Sequence, residues 1–239
     1  MEILPLGDSA LLLRVVENFD EDPDVALNKV LAVKHALDAA ELPGAIELTS
    51  AYSTVAFFYD PVRAVDQGGP ASDLLAWFAQ RIRDALPSSL NKPPLRALKT
   101  SELVEIPVCY DHEFALDLDE VAKRVGIGAR EVVDVHSGAE YRVQCVGFTP
   151  GFPYLAGLPE ILATPRKNIP RREIPAGSVA IGGSQTGIYP IKSPGGWHVI
   201  GRTPLLLFNP EKNPPARLSA GDRVRFRPIS RDEFERSTS

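Results

Sequence analysis

The sequence predicts an α+β protein of two domains, a small N-terminal α/β sandwich followed by a C-terminal β-barrel. Its 239 residues suffice for both, since domains usually contain about 100–150 residues. Strand-like and helix-like segments alternate in the first part of the chain, whereas later strands are short and separated by glycine and proline, which is typical of a closed or nearly closed barrel. We assign residues 1–90 to the first domain, 91–101 to a linker, 102–230 to the barrel and 231–239 to a polar tail.

The N-terminal elements follow from local patterns. Residues 11–13 form a short apolar run after a Gly-Asp turn, which predicts a buried strand. Asp22 precedes Pro23, the order expected of a helix cap and a first helical residue. Residues 45–59 are rich in Thr, Val, Phe and Tyr and predict a strand or hairpin. Ser72 is the expected cap of a second amphipathic helix. Two helices on one face of a sheet give the sandwich.

The second half begins with a predicted strand at 103–110, after a segment at 87–94 that is rich in Pro and Ser. Asp117 is expected to cap a short helix that ends at Gly126, and a second helix at 130–136 follows. The remaining predicted strands are 141–146, 178–181, 197–200, 205–208 and 224–226.

Composition and charge exclude several classes of protein. No apolar run approaches the roughly 20 residues that span a bilayer, and the first residues lack the features of a signal peptide, so we expect a cytoplasmic protein. Cys109 and Cys145 have no CxxC spacing, so neither a disulfide framework nor a metal site is predicted. The net charge of −5 argues against nucleic-acid binding. Residues 147–239 nevertheless hold 13 Lys and Arg against 7 Asp and Glu, which favours a positive face for a small anion or an acidic partner.

Residues 147–215 contain 12 of the 22 prolines and 10 of the 18 glycines. So many turn residues predict little regular structure but well-defined loops, and such loops commonly carry binding sites. A loop-rich edge without a ligand is the alternative.

Several motifs in this region, with two outside it, resemble one family, whose members are known as kinase A inhibitor, allophanate hydrolase subunit 1 or the B subunit of 5-oxoprolinase. The likeness spans essentially the whole chain, and Gly128 is a small departure where a capping Ser or Thr is expected. The motifs are GDSAL (7–11), GFTPGFPYLAGLP (147–159), PR (165–166), IPR (169–171), IPAGSVAI (174–181), QTGIYP (185–190), SPGGW (193–197), IGRTP (200–204) and GDRVRF (221–226).

The resemblance implies a cyclophilin-like C-terminal barrel and a protein that is active only with partners. These would be an allophanate hydrolase subunit 2-like protein, which is the C subunit of 5-oxoprolinase, and the A subunit. Together they would form a complex that opens the lactam of 5-oxo-L-proline to L-glutamate with ATP hydrolysis. ATP is therefore expected at the level of the complex, and no covalent cofactor is expected. The chain lacks the GxxxxGK[ST] pattern of a Walker phosphate loop.

The family name leaves two other functions open. One is inhibition of a sensor histidine kinase, and the other is half of a biotin-dependent carboxyltransferase that acts on urea or a similar amide. A fold alone does not decide among them.

Arg166, Arg171 and Arg202 are the first candidates for binding a carboxylate or phosphate, because a guanidinium group matches the geometry of both anions. The alternative is a surface role or an ion pair with Glu160 or Glu173. Lys167 is expected to be solvated.

Neutral hydrogen-bonding groups cluster near the SPGGW motif, and its backbone N–H groups suit an anion, unless the two glycines only form a tight turn. These anion-binding candidates are Gln185, Thr186, Tyr189, Ser193, Gly195 and Gly196.

A further set is expected to line an apolar cleft, although aromatic residues in a barrel are more often core. It comprises Phe148, Pro150, Gly151, Phe152, Tyr154 and Trp197. His136 and His198 are possible site residues. His136 would end a helix, where a cation is favoured, so a structural role competes. Neither histidine has the spaced partners of a catalytic triad, so no general base is assigned and no metal is predicted.

Overall fold

The computed structural model describes residues 1–19, 22–86 and 103–238. The chain divides into two compact units, Met1–Thr100 and Ser101–Ser239. The predicted linker at 91–101 lies outside the described residues.

The N-terminal unit is a four-stranded antiparallel sheet in the order β1-β2-β4-β3, with a core that includes Leu13, Phe57 and Phe78. Its strands are β1 (Glu2–Pro5), β2 (Ala10–Arg14), β3 (Ala45–Ala51) and β4 (Thr54–Tyr59), and its helices are α1 (Pro23–Ala39), α2 (Pro61–Asp66) and α3 (Leu74–Ala85).

Helix starts in this unit depend on aspartate. Asp22 accepts a hydrogen bond from the Val25 N–H at 3.0 Å, as the sequence predicts. The cap of α3 is not Ser72 but Asp73, whose carboxylate accepts from the Ala76 N–H at 3.0 Å. A charged oxygen acceptor at the positive end of the helix satisfies the same backbone donors.

The C-terminal unit is a closed seven-stranded barrel in the order β10-β7-β6-β13-β5-β12-β9, with a separate two-stranded sheet of β8 and β11. All neighbouring strands are antiparallel except β5 and β13. The strands are β5 (Leu103–Cys109), β6 (Tyr141–Val146), β7 (Pro153–Ala156), β8 (Arg171–Ile174), β9 (Ser178–Gly182), β10 (Gln185–Ile188), β11 (Ser193–Gly195), β12 (His198–Arg202) and β13 (Arg223–Ile229); the helices are α4 (Leu118–Val125), α5 (Ala129–Gly138) and α6 (Arg231–Thr238).

Apolar side chains fill two layers of this unit. One core cluster includes Val143, Leu155, Ile181 and Phe226. A second, mainly aromatic cluster contains Phe152, Ile174, Ala180, Tyr189, Trp197 and Val199. Neighbouring β9 residues belong to different clusters, as the alternation of strand side chains requires. The wall of the barrel therefore has packed residues on both faces here.

The Pro/Gly-rich region contains more regular structure than the sequence predicts. Strands β7, β8, β10 and β11 all lie within it, each three or four residues long. The strand predicted at 205–208 is absent, and only Phe208 makes an isolated bridge, to Ala216. Strands this short are too brief to show an alternating pattern, so single-sequence periodicity misses them.

The segment predicted as a polar tail, 231–239, contains α6. Phe234 is 6% exposed and packs in a small cluster with Cys109 and Ile229. Its ring lies 4.4 Å from the ring of Phe114, between centroids. The buried ring of Phe234 and an ion pair between Arg231 and Glu113 at 2.8 Å thus attach an otherwise charged helix to the barrel unit. Among the described residues, no helix is long and apolar enough to cross a membrane.

Candidate functional site

The stretch of chain that carries Arg166 and Arg171 lies against the SPGGW motif and the start of β12. The Lys167 N–H donates to the Gly196 carbonyl at 2.7 Å, and His198 Nε2 lies 3.0 Å from the Pro165 carbonyl oxygen. Arg171 is the register partner of Gly195 in the β8–β11 sheet. Two stretches that are distant in sequence are therefore in contact: the SPGGW motif and residues 165–171, which we call the arginine segment.

Most of the predicted cleft aromatics come together, but as core. The ring of Phe152 lies 4.9 Å from Tyr154, 5.2 Å from Tyr189 and 5.6 Å from Trp197, between centroids. Phe152, Tyr189 and Trp197 are buried, and Gly182 leaves no room for a side chain beneath the Trp197 ring. Tyr154 is only half-buried. The cluster therefore stabilises the barrel and presents little aromatic surface.

The GFTPGFP loop presents the exposed part of this aromatic set. Phe148 is 63% exposed and has a positive φ of 72°, a conformation that costs energy for a bulky residue. Pro150 is exposed beside it. Gly151 also has a positive φ, and a Cβ there would collide with Phe208. The loop is thus held in one shape that leaves an aromatic ring in solvent.

Arg166 differs from the other two predicted arginines. Its guanidinium carbon lies 5.6 Å from the centroid of the Trp197 ring, within cation–π range, and its side chain is exposed. Within the described ranges, no carboxylate pairs with it. Unlike Arg171, whose terminal nitrogens both donate to Asp117, it keeps its guanidinium edge open to an anion.

Arg171 is engaged by an acid that the sequence did not indicate. Its two terminal nitrogens donate to both oxygens of Asp117 at 2.6 and 2.7 Å. Asp117 is 2% exposed and also accepts from the Val199 N–H at 2.8 Å. Burial alone would raise the pKa of Asp117, but the hydrogen bonds from Arg171 and Lys167 outweigh it and lower that pKa. The expected partners, Glu160 or Glu173, are not the ones used.

Lys167 is not the solvated residue that the sequence predicts. Its ammonium lies 2.9 Å from Asp117 Oδ1 and 2.5 Å from Glu120 Oε2, with 17% of the side chain exposed. Burial lowers the pKa of Lys167, and the hydrogen bonds to Glu120 and Asp117 more than compensate, so the net shift is upward. Lys167 is therefore a charged member of a partly buried network, the Asp117 cluster, which consists of Asp117, Glu120, Lys167 and Arg171.

His198 is 1% exposed and borders the cluster. Because a carbonyl oxygen only accepts, Nε2 donates to Pro165, and in the neutral ring Nδ1 carries a lone pair. Among the residues that the structure describes, that Nδ1 has no hydrogen-bond partner, and it lies 3.7 Å from Glu120 Oε1. A buried ring nitrogen without a hydrogen-bond partner is uncommon in native proteins.

Asp117, Glu120 and His198 place ligand atoms within 4.8 Å of one another, as a metal site would. The Lys167 ammonium already contacts both carboxylates, and Arg171 supplies a second positive charge. A divalent cation would have to displace one cation and lie beside another. We assign no metal to this cluster.

His136 belongs to a different, fully bonded network inside the barrel. Its Nδ1 lies 2.9 Å from the Tyr110 hydroxyl and its Nε2 3.0 Å from Thr186 Oγ1. Thr186 donates to the Ala180 carbonyl at 3.0 Å, so it accepts from Nε2–H, and Tyr110 donates to Nδ1. Burial lowers the pKa of His136 to about 3. The expectation of a cation at a helix end is wrong, because this ring is neutral and wholly buried.

The remaining predicted residues are mostly built into the barrel unit. Arg202 Nε donates to the Ala176 carbonyl at 2.8 Å, and Thr186 is fully buried. Gln185 and Gly196 are half-buried. Gly195 lies in β11, where a Cβ would meet the Tyr189 hydroxyl. Ser193 is 9% exposed, and its hydroxyl has no hydrogen-bond partner within the described part of the chain.

Sequence reasoning missed the acidic half of the Asp117 cluster. Asp117 was interpreted as a helix cap, yet its side chain makes no cap hydrogen bond to α4. Its partners lie 54 residues away at Arg171 and 82 away at Val199. The only local signal was an Asp before a helix, which describes an ordinary cap equally well.

The chain is similar to proteins of known sequence and structure. Residues 1–218 match the family model "Carboxyltransferase domain, subdomain C and D". The B subunit of 5-oxoprolinase from Bacillus subtilis (strain 168) is 41% identical over 239 residues, which cover 98% of this chain and 95% of that protein.

Two solved structures have sequences that are each 37% identical to this chain. TTHA0988 is 37% identical with a TM-score of 0.73; the match covers 92% of this chain but 40% of that longer chain. PH0987 from Pyrococcus horikoshii, a conserved uncharacterized protein, is 37% identical with a TM-score of 0.54, and the match covers 98% of this chain and 100% of that one. With the motifs, the barrel and the match to the Bacillus protein in agreement, the chain belongs to the family of 5-oxoprolinase B subunits, built on the carboxyltransferase C and D subdomains.

Proposed function

We propose that this protein is the B subunit of an ATP-dependent 5-oxoprolinase, which converts 5-oxo-L-proline to L-glutamate only together with partner subunits. The observation that carries the proposal is the 41% identity to the B subunit of a 5-oxoprolinase across 98% of the chain. A match of this extent includes the scaffold and the site segments alike.

The proposed role of the site is anion recognition by Arg166. The substrate is a lactam with a carboxylate, and activation by ATP would add a phosphoryl group, so the complex needs cationic donors. Arg166 is exposed and lies over Trp197, while Arg171 is saturated by Asp117. Cation–π contact fixes one face of a guanidinium and leaves its N–H edge available.

The need for partners is supported by the same site. No nucleophile with a neighbouring base is evident among the described residues of the arginine segment and its contacts. In TTHA0988 the matching region is 40% of a longer chain, so there the fold is joined to further protein. We propose that a protein like the C subunit of 5-oxoprolinase, together with the A subunit, supplies the rest, and that ATP binds at the level of the complex.

Co-expression with the genomic neighbours tests the proposal. ATP-dependent release of glutamate from 5-oxoproline should require this protein, and adding the purified chain back should restore it. Within the active complex, Arg166→Gln should raise KM for 5-oxoproline about tenfold or more, since a charge-assisted pair is lost. Arg223→Gln, which removes an exposed arginine paired with Glu140, is the matched control and should change little. Full activity without this protein would refute the proposal.

The family model favours a second candidate, half of a biotin-dependent carboxyltransferase. The same purified complex would then carry a biotinylated component and transfer carboxylate to urea or a similar amide. Streptavidin blotting of the complex and a bicarbonate-dependent assay distinguish the two functions. Biotin in the complex together with bicarbonate-dependent turnover, and no glutamate release, would replace the first proposal by the second.

A further inference from the structure

We infer that Asp117 is a positioning residue that anchors the arginine segment to the barrel and thereby holds Arg166 in place. The inference rests on the proposed anion-binding role of Arg166 but not on the identity of the anion. Asp117 itself is buried, so we assign it no contact with a substrate.

The arginine segment needs an anchor because it has little structure of its own. Residues 165–170 belong to no helix or strand, and Ile169 is 84% exposed. Side chains on either side of this exposed stretch both reach Asp117, Lys167 at 2.9 Å and Arg171 at 2.6 Å. One carboxylate thus fixes the segment at two points, and Arg166 is next to the first.

Asp117 is in turn held rigidly by β12. Its N–H donates to the Val199 carbonyl at 2.7 Å, and its Oδ2 accepts from the Val199 N–H at 2.8 Å. Val199 packs in the same cluster as Trp197, the ring over which Arg166 lies. The Asp117 carboxylate and the Trp197 ring that Arg166 contacts are therefore both held in place by β12 and the residue just before it.

The competing explanation, that Asp117 only caps α4, does not fit the contacts. Its side chain makes no hydrogen bond to the first turn of α4, whereas Asp73 and Asp22 do cap their helices. All of the capacity of the Asp117 carboxylate is directed at Lys167, Arg171 and Val199. The Asp117 carboxylate therefore bonds to the arginine segment and to β12 rather than to the first turn of α4.

The first test follows the environment of Trp197, over which Arg166 lies, and does not require enzyme activity. Trp77→Phe leaves Trp197 as the single tryptophan of the chain, and Trp197 is 5% exposed. In this background, Asp117→Asn should increase quenching of Trp197 by acrylamide and shift its emission to the red, as Arg166→Gln should. Arg223→Gln should do neither. Unchanged quenching in a folded Asp117→Asn protein would overturn the inference.

The second test uses the reconstituted complex. Asp117→Asn should raise KM for 5-oxoproline in the same direction as Arg166→Gln, and the double variant should be no worse than Arg166→Gln, because both act through one guanidinium. Additive effects would show that Asp117 acts elsewhere and would overturn the inference. If quenching rises but Arg166→Gln leaves KM unchanged, the anchor stands and the proposed role of Arg166 fails.

Arg171→Gln keeps the test decisive if Asp117→Asn does not fold. It removes one anchor point but leaves Asp117 paired with Lys167 and Val199. The same increase in quenching and in KM, smaller in size, is expected. No change in either measurement would contradict the inference.

Discussion

His136 and His198 are both buried in the barrel unit, yet their ring nitrogens have very different partners. Both nitrogens of His136 are hydrogen-bonded, within a neutral chain that runs from Tyr110 to Thr186. Only one nitrogen of His198 is hydrogen-bonded to a described residue, and the other faces Glu120 at 3.7 Å without a hydrogen bond. The first histidine completes a core, and the second borders a charged cluster that holds a surface segment. Burial alone therefore does not distinguish these two histidines, whereas the completeness of their hydrogen bonding does.

The largest effect should come from breaking the complete network. His136→Ala removes a ring stacked on Phe226 at 4.6 Å and leaves the buried Tyr110 hydroxyl without its acceptor. We expect a loss of about 3–5 kcal/mol in the free energy of unfolding, from the cavity and the unsatisfied group together. Urea unfolding followed by Trp197 fluorescence in the Trp77→Phe background measures it. His112→Ala, an exposed histidine of the barrel unit, should change stability by less than about 0.5 kcal/mol.

The pH dependence of stability should follow the same network. Burial lowers the pKa of His136 to about 3, below its unfolded value of about 6.5, so only the unfolded chain takes up this proton between those values. Stability contributed by the neutral ring is therefore present above about pH 6.5 and is lost as pH falls toward 3, at up to about 1.4 kcal/mol per pH unit. Unfolding at several pH values, compared with His136→Phe, isolates the effect. A Phe variant with the same slope as the native protein would show that other groups cause it.

A smaller loss is expected from the charged cluster. Arg171→Ala leaves the Asp117 carboxylate, 2% exposed, with one cation fewer, and should cost about 2 kcal/mol. Lys192→Ala breaks a pair with Glu173 whose side chains are 65% and 57% exposed, and pairs of that kind contribute between about 0 and 1 kcal/mol. Thermal unfolding of the two variants side by side provides the comparison. Equal losses would mean that burial of Asp117 adds nothing.

The smallest effect on stability should be at Arg166. Its guanidinium contacts the Trp197 ring but pairs with no acid among the described residues, so Arg166→Gln should shift the free energy of unfolding by about 0.5 kcal/mol or less. Urea unfolding of this variant beside Arg171→Ala measures the difference. A loss as large as that of Arg171→Ala would assign Arg166 to structure and weaken its proposed role in anion recognition.

The features that were predicted correctly from the sequence are those set by residues next to one another in the chain. The Asp22 cap with Pro23, the left-handed Gly126 that ends α4 and the strand at 141–146 are all present. Each depends on the dihedral preferences or hydrogen bonds of a few consecutive residues. The α+β class with a closed barrel was also predicted and is confirmed.

The features that the sequence did not predict depend on contacts between residues that are far apart in the chain. Lys167 and Arg171 look alike in a basic stretch with Arg166 and Arg172, and only the fold places Asp117 beside two of them. Likewise, Phe152 and Trp197 could be assigned to a cleft or a core by type, but only packing shows that both are buried. The role of Arg166 was a hypothesis from the motif and remains a proposal.

The parallel pairing of β5 with β13 sets an order of events in synthesis. Leu103 pairs with Arg223, and Cys109 with Ile229. The first strand of the barrel therefore cannot form these backbone hydrogen bonds until the last strand, about 120 residues later in the chain, has been made. Until residue 229 has been made, β5 has one free edge and the barrel stays open. A chain shortened to residue 218, where the family match ends, would lack this closing strand and expose unpaired backbone to other chains. The barrel therefore closes only when nearly the whole polypeptide has been made.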